Sequence, residues 1–191
     1  MQIVLKNIAE IFSGHTVRGR VESDPSGEVY AIQLKDLAKH YSEITDFPHQ
    51  IKLSGVPKNQ ILQKGDILFV SKGANNFALV FDKDYPAIAI SVFFVLRITD
   101  KKVDPYFLAW YINQEKAQGY LHTGKEGTMI TNINKATLEN IPVDVPIIKK
   151  QKSIVEMNKL WLKEIEITEA IIDKKKRVIN NFFNKLISDE K

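Results

Sequence analysis

Residues 141–187 read IPVDVPIIKKQKSIVEMNKLWLKEIEITEAIIDKKKRVINNFFNKLI, and the change of character inside this stretch decides the architecture. Pro142 and Pro146 punctuate an extended strap from Ile141 to Ile147, after which neither Gly nor Pro occurs from Ile148 to Ile187. Those 40 residues predict one helix roughly 60 Å long, several times the mean helix of a globular domain. Such a helix must project from the domain that precedes it. Ile165, Ile172, Ile179 and Leu186 recur every seven residues, and Met157, Trp161, Ile171, Val178, Phe182 and Phe183 broaden the stripe into a heptad seam. Thr168 and Lys175 interrupt the companion seam. Folding back over its own domain would cover the stripe, but pairing with a second chain is favoured. Burying four Ile or Leu side chains per helix is worth about 1.5 to 3 kcal/mol each, and so long an apolar stripe left in water invites association. Trp161, Ile165, Ile172, Ile179, Phe182 and Leu186 are the residues expected at that pairing surface.

Working back toward the N-terminus, short apolar runs broken by turn residues predict strands at Val29–Leu34, Asp66–Ser71, Phe77–Phe81 and Ala87–Ile98. The polar segment from Lys72 to Asn76 reads as a hairpin connection. No long helix separates these runs, so antiparallel neighbours are expected. Asp104 is a suitable N-cap and Pro105 a suitable first residue for a helix that carries Phe107, Leu108, Tyr111 and Ile112 up to Gly119. A shorter helix is expected at Lys135–Asn140. The fold class is therefore α+β: a domain of mainly antiparallel or mixed sheet with short helices over residues 1–147, then a long coiled-coil helix over residues 148–191 for pairing. The chain shows neither internal repeat nor low-complexity segment.

Composition narrows the function. The 191 residues are 44% hydrophobic and 26% charged, ordinary for a folded soluble protein. Cysteine is absent, which excludes disulfide stapling, Cys-ligated zinc, iron-sulfur chemistry and a thiol nucleophile. A reducing cytoplasm fits. The longest nearly apolar run, Ala87 to Leu96, is about half of the roughly 20 residues a membrane span needs, and the first ten residues lack a signal-peptide pattern. No membrane partner is expected. Residues 149–191 hold 11 basic and 7 acidic residues, which leaves 16 of each in residues 1–148 from totals of 27 and 23. The domain is electroneutral, so composition alone gives it no basic footprint.

Catalytic motifs fail when tested. Gly119, Gly124 and Lys125 match the start of a phosphate-binding loop, but Glu126 stands where Ser or Thr must meet magnesium. Asp104-Pro105-Tyr106-Phe107 has only one of the two prolines of the amino-methyltransferase signature, and helix capping explains it. His15, His40, His49 and His122 lack ligand spacing, no Gly-x-Ser-x-Gly elbow is present, and Asp82 and Asp84 flank Lys83 in a turn. The chain is read as non-catalytic, without cofactor or metal.

Polar loops on a rigid scaffold remain. Gly14 to Arg20 reads GHTVRGR; Arg suits guanine and Asn suits adenine in the major groove. Arg18, Arg20, Asn75 and Asn76, with His15 and Thr16 beside them, are chemically fit to read base edges, while Lys72, Lys125 and Thr128 could meet phosphates. The plain alternative is that these are solvated turn residues.

The order of the pieces resembles the specificity subunits of type I restriction-modification systems. The stretches that carry the resemblance are LKNIAEIFSG (5–14), LQKGDILFVSKG (62–73), SVFFVLRI (91–98), DPYFLAWYI (104–112) and ITNINKATLENIPVDVPIIKKQK (130–152). The last is the most specific, and together they span nearly the whole chain. The resemblance implies a target-recognition domain that reads double-stranded DNA through loops, followed by a long helix. Whole specificity subunits carry that pair of elements twice and this sequence carries it once, so a half-sized form working as a homodimer is expected, its paired helices serving as spacer and ruler. It further implies a modification subunit that brings S-adenosylmethionine and methylates adenine, and a restriction subunit that brings ATP-dependent translocation and cleavage. A specificity subunit of a system in which restriction and modification share one polypeptide fits equally, and a coiled-coil module for protein or RNA is the alternative from another class.

Overall fold

The computed structural model describes residues 2–17, 19–38, 43–45, 48–52, 56–73, 75–123 and 131–188. Its central strand is β5 (Ile67–Val70), whose four residues are all buried. A continuous apolar run of this kind marks a strand covered on both faces. It lies in a four-stranded antiparallel sheet of order β2 (Ala9–Ser13), β9 (Phe93–Ile98), β5, β7 (Ala78–Val80). A three-stranded sheet holds β3 (Val29–Ile32) between β4 (His49–Ile51) and β8 (Ala87–Ala89). One apolar core draws on both sheets, with Ile32 and Ala89 from one packed among Leu68, Val70, Phe93 and Val95 from the other.

Two expectations are corrected here. The run from Ala87 to Ile98 is two strands in two different sheets, divided by a turn at Ser91–Val92. The cause is the segment after β2: the Gly14 N–H donates to Phe93 O at 2.9 Å and the His15 N–H to Ala89 O at 2.7 Å. A Cβ on Gly14 would lie 2.3 Å from Ile90 O, so only glycine allows the approach. Second, β3 pairs with β8 in parallel, a long-range pairing between two runs expected to be antiparallel neighbours, and it supplies the mixed part of the mainly antiparallel or mixed sheet.

The helix at Asp104 starts as expected. Asp104 Oδ1 accepts the N–H groups of Tyr106 and Phe107 above α1 (Pro105–Ile112). It ends earlier than Gly119, because Asn113 leaves the helix to close the free edge of β7, donating to Ala78 O and accepting from Ala78 N–H at 2.8 and 2.7 Å. A separate α2 (Glu115–His122) follows, then β10 (Thr131–Asn132) and α3 (Lys135–Glu139), capped by Asn134. In the strap, β11 (Pro142–Asp144) pairs with β1 (Gln2–Val4). The Tyr111 hydroxyl donates to Pro142 O. Lys116, paired with Asp144, holds that carboxyl below its ordinary value, while burial pushes the Tyr111 hydroxyl up.

From Ile148 to Ser188 the chain is one α-helix, α4. By contact it divides into two compact units, Met1–Lys152 and Ser153–Lys191, five residues past the boundary expected at 147. Gln151 accounts for the difference: fully buried, it accepts from Asp104 N–H and donates to Lys102 O and Pro146 O at 2.7–2.8 Å. The first turn of α4 is thereby bolted into the first unit. Gln151→Leu leaves one N–H and two carbonyls without these partners. It is expected to cost about 1–3 kcal/mol, read by calorimetry as a melting point roughly 3–10 °C lower. A melting point within about a degree of the parent would show that the bolt carries no stability.

Candidate nucleic-acid interface

The register of the four-stranded sheet settles where its loops emerge. Ser13, the last residue of β2, faces Phe94; Val70, the last of β5, faces Phe93; Ala78, the first of β7, faces Phe69. Segments 14–20 and 71–77 therefore leave the sheet by the same end. Only β9 separates β2 from β5, so the two loops start about 10 Å apart. The expected hairpin connection also carries a strand of its own. Lys72–Gly73 forms β6, which pairs antiparallel with β10 and sets Lys72 opposite Asn132. Gly73 takes φ +144°, a conformation that favours glycine.

The residues of these two segments and of β10 differ in what they offer. Thr16, Arg20, Lys72, Asn75 and Asn132 are exposed. His15 is half-buried, and its Nδ1–H donates to Gln60 Oε1 at 2.8 Å; Gln60 comes from the 3-10 turn Lys58–Gln60. That bond fixes the ring orientation and leaves Nε2 as the second polar atom of the imidazole. Asn76 is buried, and its amide donates to Val70 O at 2.9 Å, so it shapes the connection from inside. Arg18, Lys125 and Thr128 lie outside the described residues. Gln60 and Asn132 went unrecognised in the sequence. Nothing local marks Gln60, which stands 45 positions from its partner, and Asn132 carried no signal beyond its place in a polar run.

The arrangement presents cations, amides and hydroxyls on short, braced loops, chemistry suited to contact. Among the described residues no group of three or more His, Asp or Glu is placed to hold a metal ion, and no helix is long and apolar enough to cross a membrane. On α4, Trp161, Ile172, Ile179, Phe182 and Leu186 are each about half exposed, with Ile165 more covered.

Comparison with known proteins gives this geometry a context. No curated protein is close enough in sequence to count as a match. Among solved structures, the HsdS subunit from Thermoanaerobacter tengcongensis superposes with a TM-score of 0.67 at 14% identity, over 90% of this chain and 44% of that one. The type I restriction-modification S subunit from M. genitalium gives a TM-score of 0.56 at 14% identity, over 93% and 42%. A chain from a structure described as the basis of complex assembly and conformational transition of the type I R-M system gives 0.64 at 17%, over 87% and 39%. The fold is shared, and this chain spans less than half the length of each. The model of the type I restriction modification DNA specificity domain matches residues 2–177. Reaching from β1 well into α4, that match places the chain in the family of type I restriction modification DNA specificity domains.

Proposed function

We propose that this chain is the DNA-specificity element of a type I restriction-modification assembly, with residues 1–147 as a target-recognition domain and α4 as the pairing and spacing helix. The carrying observation is that two separate segments, after Ser13 and after Val70, leave one sheet by the same end in a chain that matches the specificity-domain family over residues 2–177. Arg20 and Asn75, beside His15 and Thr16, read base edges in the major groove; Lys72 meets phosphate. Arg18, Lys125 and Thr128 belong to the same proposed contact set. Two copies associate through the stripe from Trp161 to Leu186 and supply two recognition domains. A modification subunit methylates adenine and a restriction subunit cleaves, in the cytoplasm, while this chain performs no chemistry itself. With 16 basic and 16 acidic residues in residues 1–148, it relies on the modification subunit for many phosphate contacts.

Two identical chains related by a two-fold axis read the same half-site on opposite strands. The test is sequencing of methylated adenines in host DNA with and without this gene, and an interrupted palindrome is expected. An asymmetric site in cells with no second specificity polypeptide would contradict the homodimer. Within the assembled complex, Arg20→Ala or Asn75→Ala is expected to cost about 1–3 kcal/mol and relax the target at one position. Lys72→Ala should weaken all sequences alike and flatten the salt dependence by about one unit. If all three leave affinity and methylation pattern intact, these loops are not the readers.

A further inference from the structure

Lys72–Gly73 and Thr131–Asn132 are joined in a two-stranded antiparallel sheet of their own. Its root is anchored in the core. Ser71 is buried, its N–H and its hydroxyl both donate to Val92 O at 2.9 Å, and its carbonyl accepts the N–H of buried Ile133 at the same distance. Asn76 closes the connection behind β6 through Val70 O. One residue further out the surroundings open. Lys72 and Asn132 are exposed, and among the described residues a Cβ on Gly73 would meet nothing within 4 Å. The result is a short β-ribbon fixed at its base and bare at Gly73.

Register decides what this ribbon offers. Lys72 stands opposite Asn132, and directly opposed residues of an antiparallel pair share a face, with Cβ atoms about 4.5–5.5 Å apart. That face carries a flexible cation beside a short amide that holds both donors and an acceptor. The major groove of B-DNA admits a two-stranded ribbon, and an asparagine amide there meets adenine with two hydrogen bonds, to N6 and N7. A lysine beside it supplies a point charge for phosphate. A glycine in a strand permits close approach to a ligand, which a side chain at Gly73 would obstruct. The deep, narrow major groove of duplex RNA cannot be read by side chains, so the fit is to DNA.

We propose that the β6–β10 ribbon lies in the major groove of the target and that Asn132 specifies adenine there, while Lys72 holds a neighbouring phosphate. This rests on the DNA-reading function proposed above and adds to it a reading residue outside both loops. The two strands of the ribbon come from distant parts of the chain, so the face that pairs Asn132 with Lys72 exists only in the folded domain.

The test uses the full chain assembled with its modification subunit, scored on duplexes that carry each base in turn at every position of the methylated site. Asn132→Ala is expected to lower the preference for adenine at one position by roughly 5- to 150-fold and to leave the other positions as they are. Asn132→Gln should keep adenine, because the same amide is presented, and Asn132→Asp should move the preference at that position to cytosine, whose N4 donates to a carboxylate. Equal weakening of all sequences by Asn132→Ala would make the residue a backbone contact and overturn the assignment. So would an unchanged pattern in all three variants; if Arg20→Ala or Asn75→Ala then alters the pattern, the reading above stands without Asn132. A parent assembly that methylates no DNA would sink both together. The chain contains no cysteine, which permits a second arm. Asn132→Cys should form a disulfide by thiol exchange with a tether on N6 of one target adenine and not of the others; an adduct at none of them counts against the proposal.

Discussion

Replacing Ile165 and Ile179 together with Asp is expected to convert the paired protein into a monomer. Both side chains lie on the apolar stripe through which two copies are proposed to pair. Each Asp carries a charge into an apolar layer, at several kcal/mol without a compensating partner, and a two-fold dimer receives four such charges. That exceeds what the remaining layers supply at about 1.5 to 3 kcal/mol per buried apolar side chain. Light scattering reads the outcome as a halved molar mass. Since both positions lie beyond residue 152, in the second unit, the first unit should keep its melting transition. An unchanged mass with that transition intact would mean that the stripe serves another purpose.

A larger loss of stability is expected from Arg97→Met. Asp66 is 2% exposed; Arg97 donates to its two oxygens through Nε and Nη2 at 2.9 and 2.6 Å, and Nη2 also reaches Ile61 O. The Gln63 N–H donates to the same carboxylate, and the guanidinium lies 5.3 Å from the centre of the Phe12 ring. Removing the cation strands a buried carboxylate, which costs about 3–5 kcal/mol, or a melting point lower by roughly 6–20 °C. Arg97→Met combined with Asp66→Leu should recover most of the loss, because an apolar pair of similar volume replaces a buried ion pair at little cost. If the double variant melts as low as the single one, the damage comes from lost packing around Phe12 and not from the stranded charge.

The features legible in the sequence were those set by neighbours along the chain. Asp104 and Pro105 fixed the start of α1 because capping acts within one turn, and the absence of Gly and Pro fixed the extent of α4. The strands β3, β5 and β7 fell inside their expected runs for the same reason. What escaped depends on distant partners. The parallel pairing of β3 with β8, the division of Ala87–Ile98 between two sheets and the β1–β11 ladder are contacts between segments far apart in sequence, on which local pattern is silent. The candidate interface shows the same division. A polar loop announces itself by composition, but composition could not distinguish Asn75, which is exposed, from Asn76, which is buried and spent on Val70 O. Nor could it show that Gln60 would brace His15.

The sheet has two working ends. The loops proposed to face DNA leave it beside Phe93, whereas β9 ends at Ile98 and leads to Lys102, Asp104 and the bolt formed by Gln151. Six residues of strand, roughly 20 Å, separate the two. On the proposed reading, the letters of the target and the length of the gap between half-sites are therefore written in different parts of the chain. A lineage can revise residues 14–20 or 71–77 and acquire a new half-site while inheriting the old gap, or lengthen α4 and keep the half-site. Grafting those two loops together with β10 from one family member onto another is accordingly the smallest exchange that should transfer a half-site without its spacing.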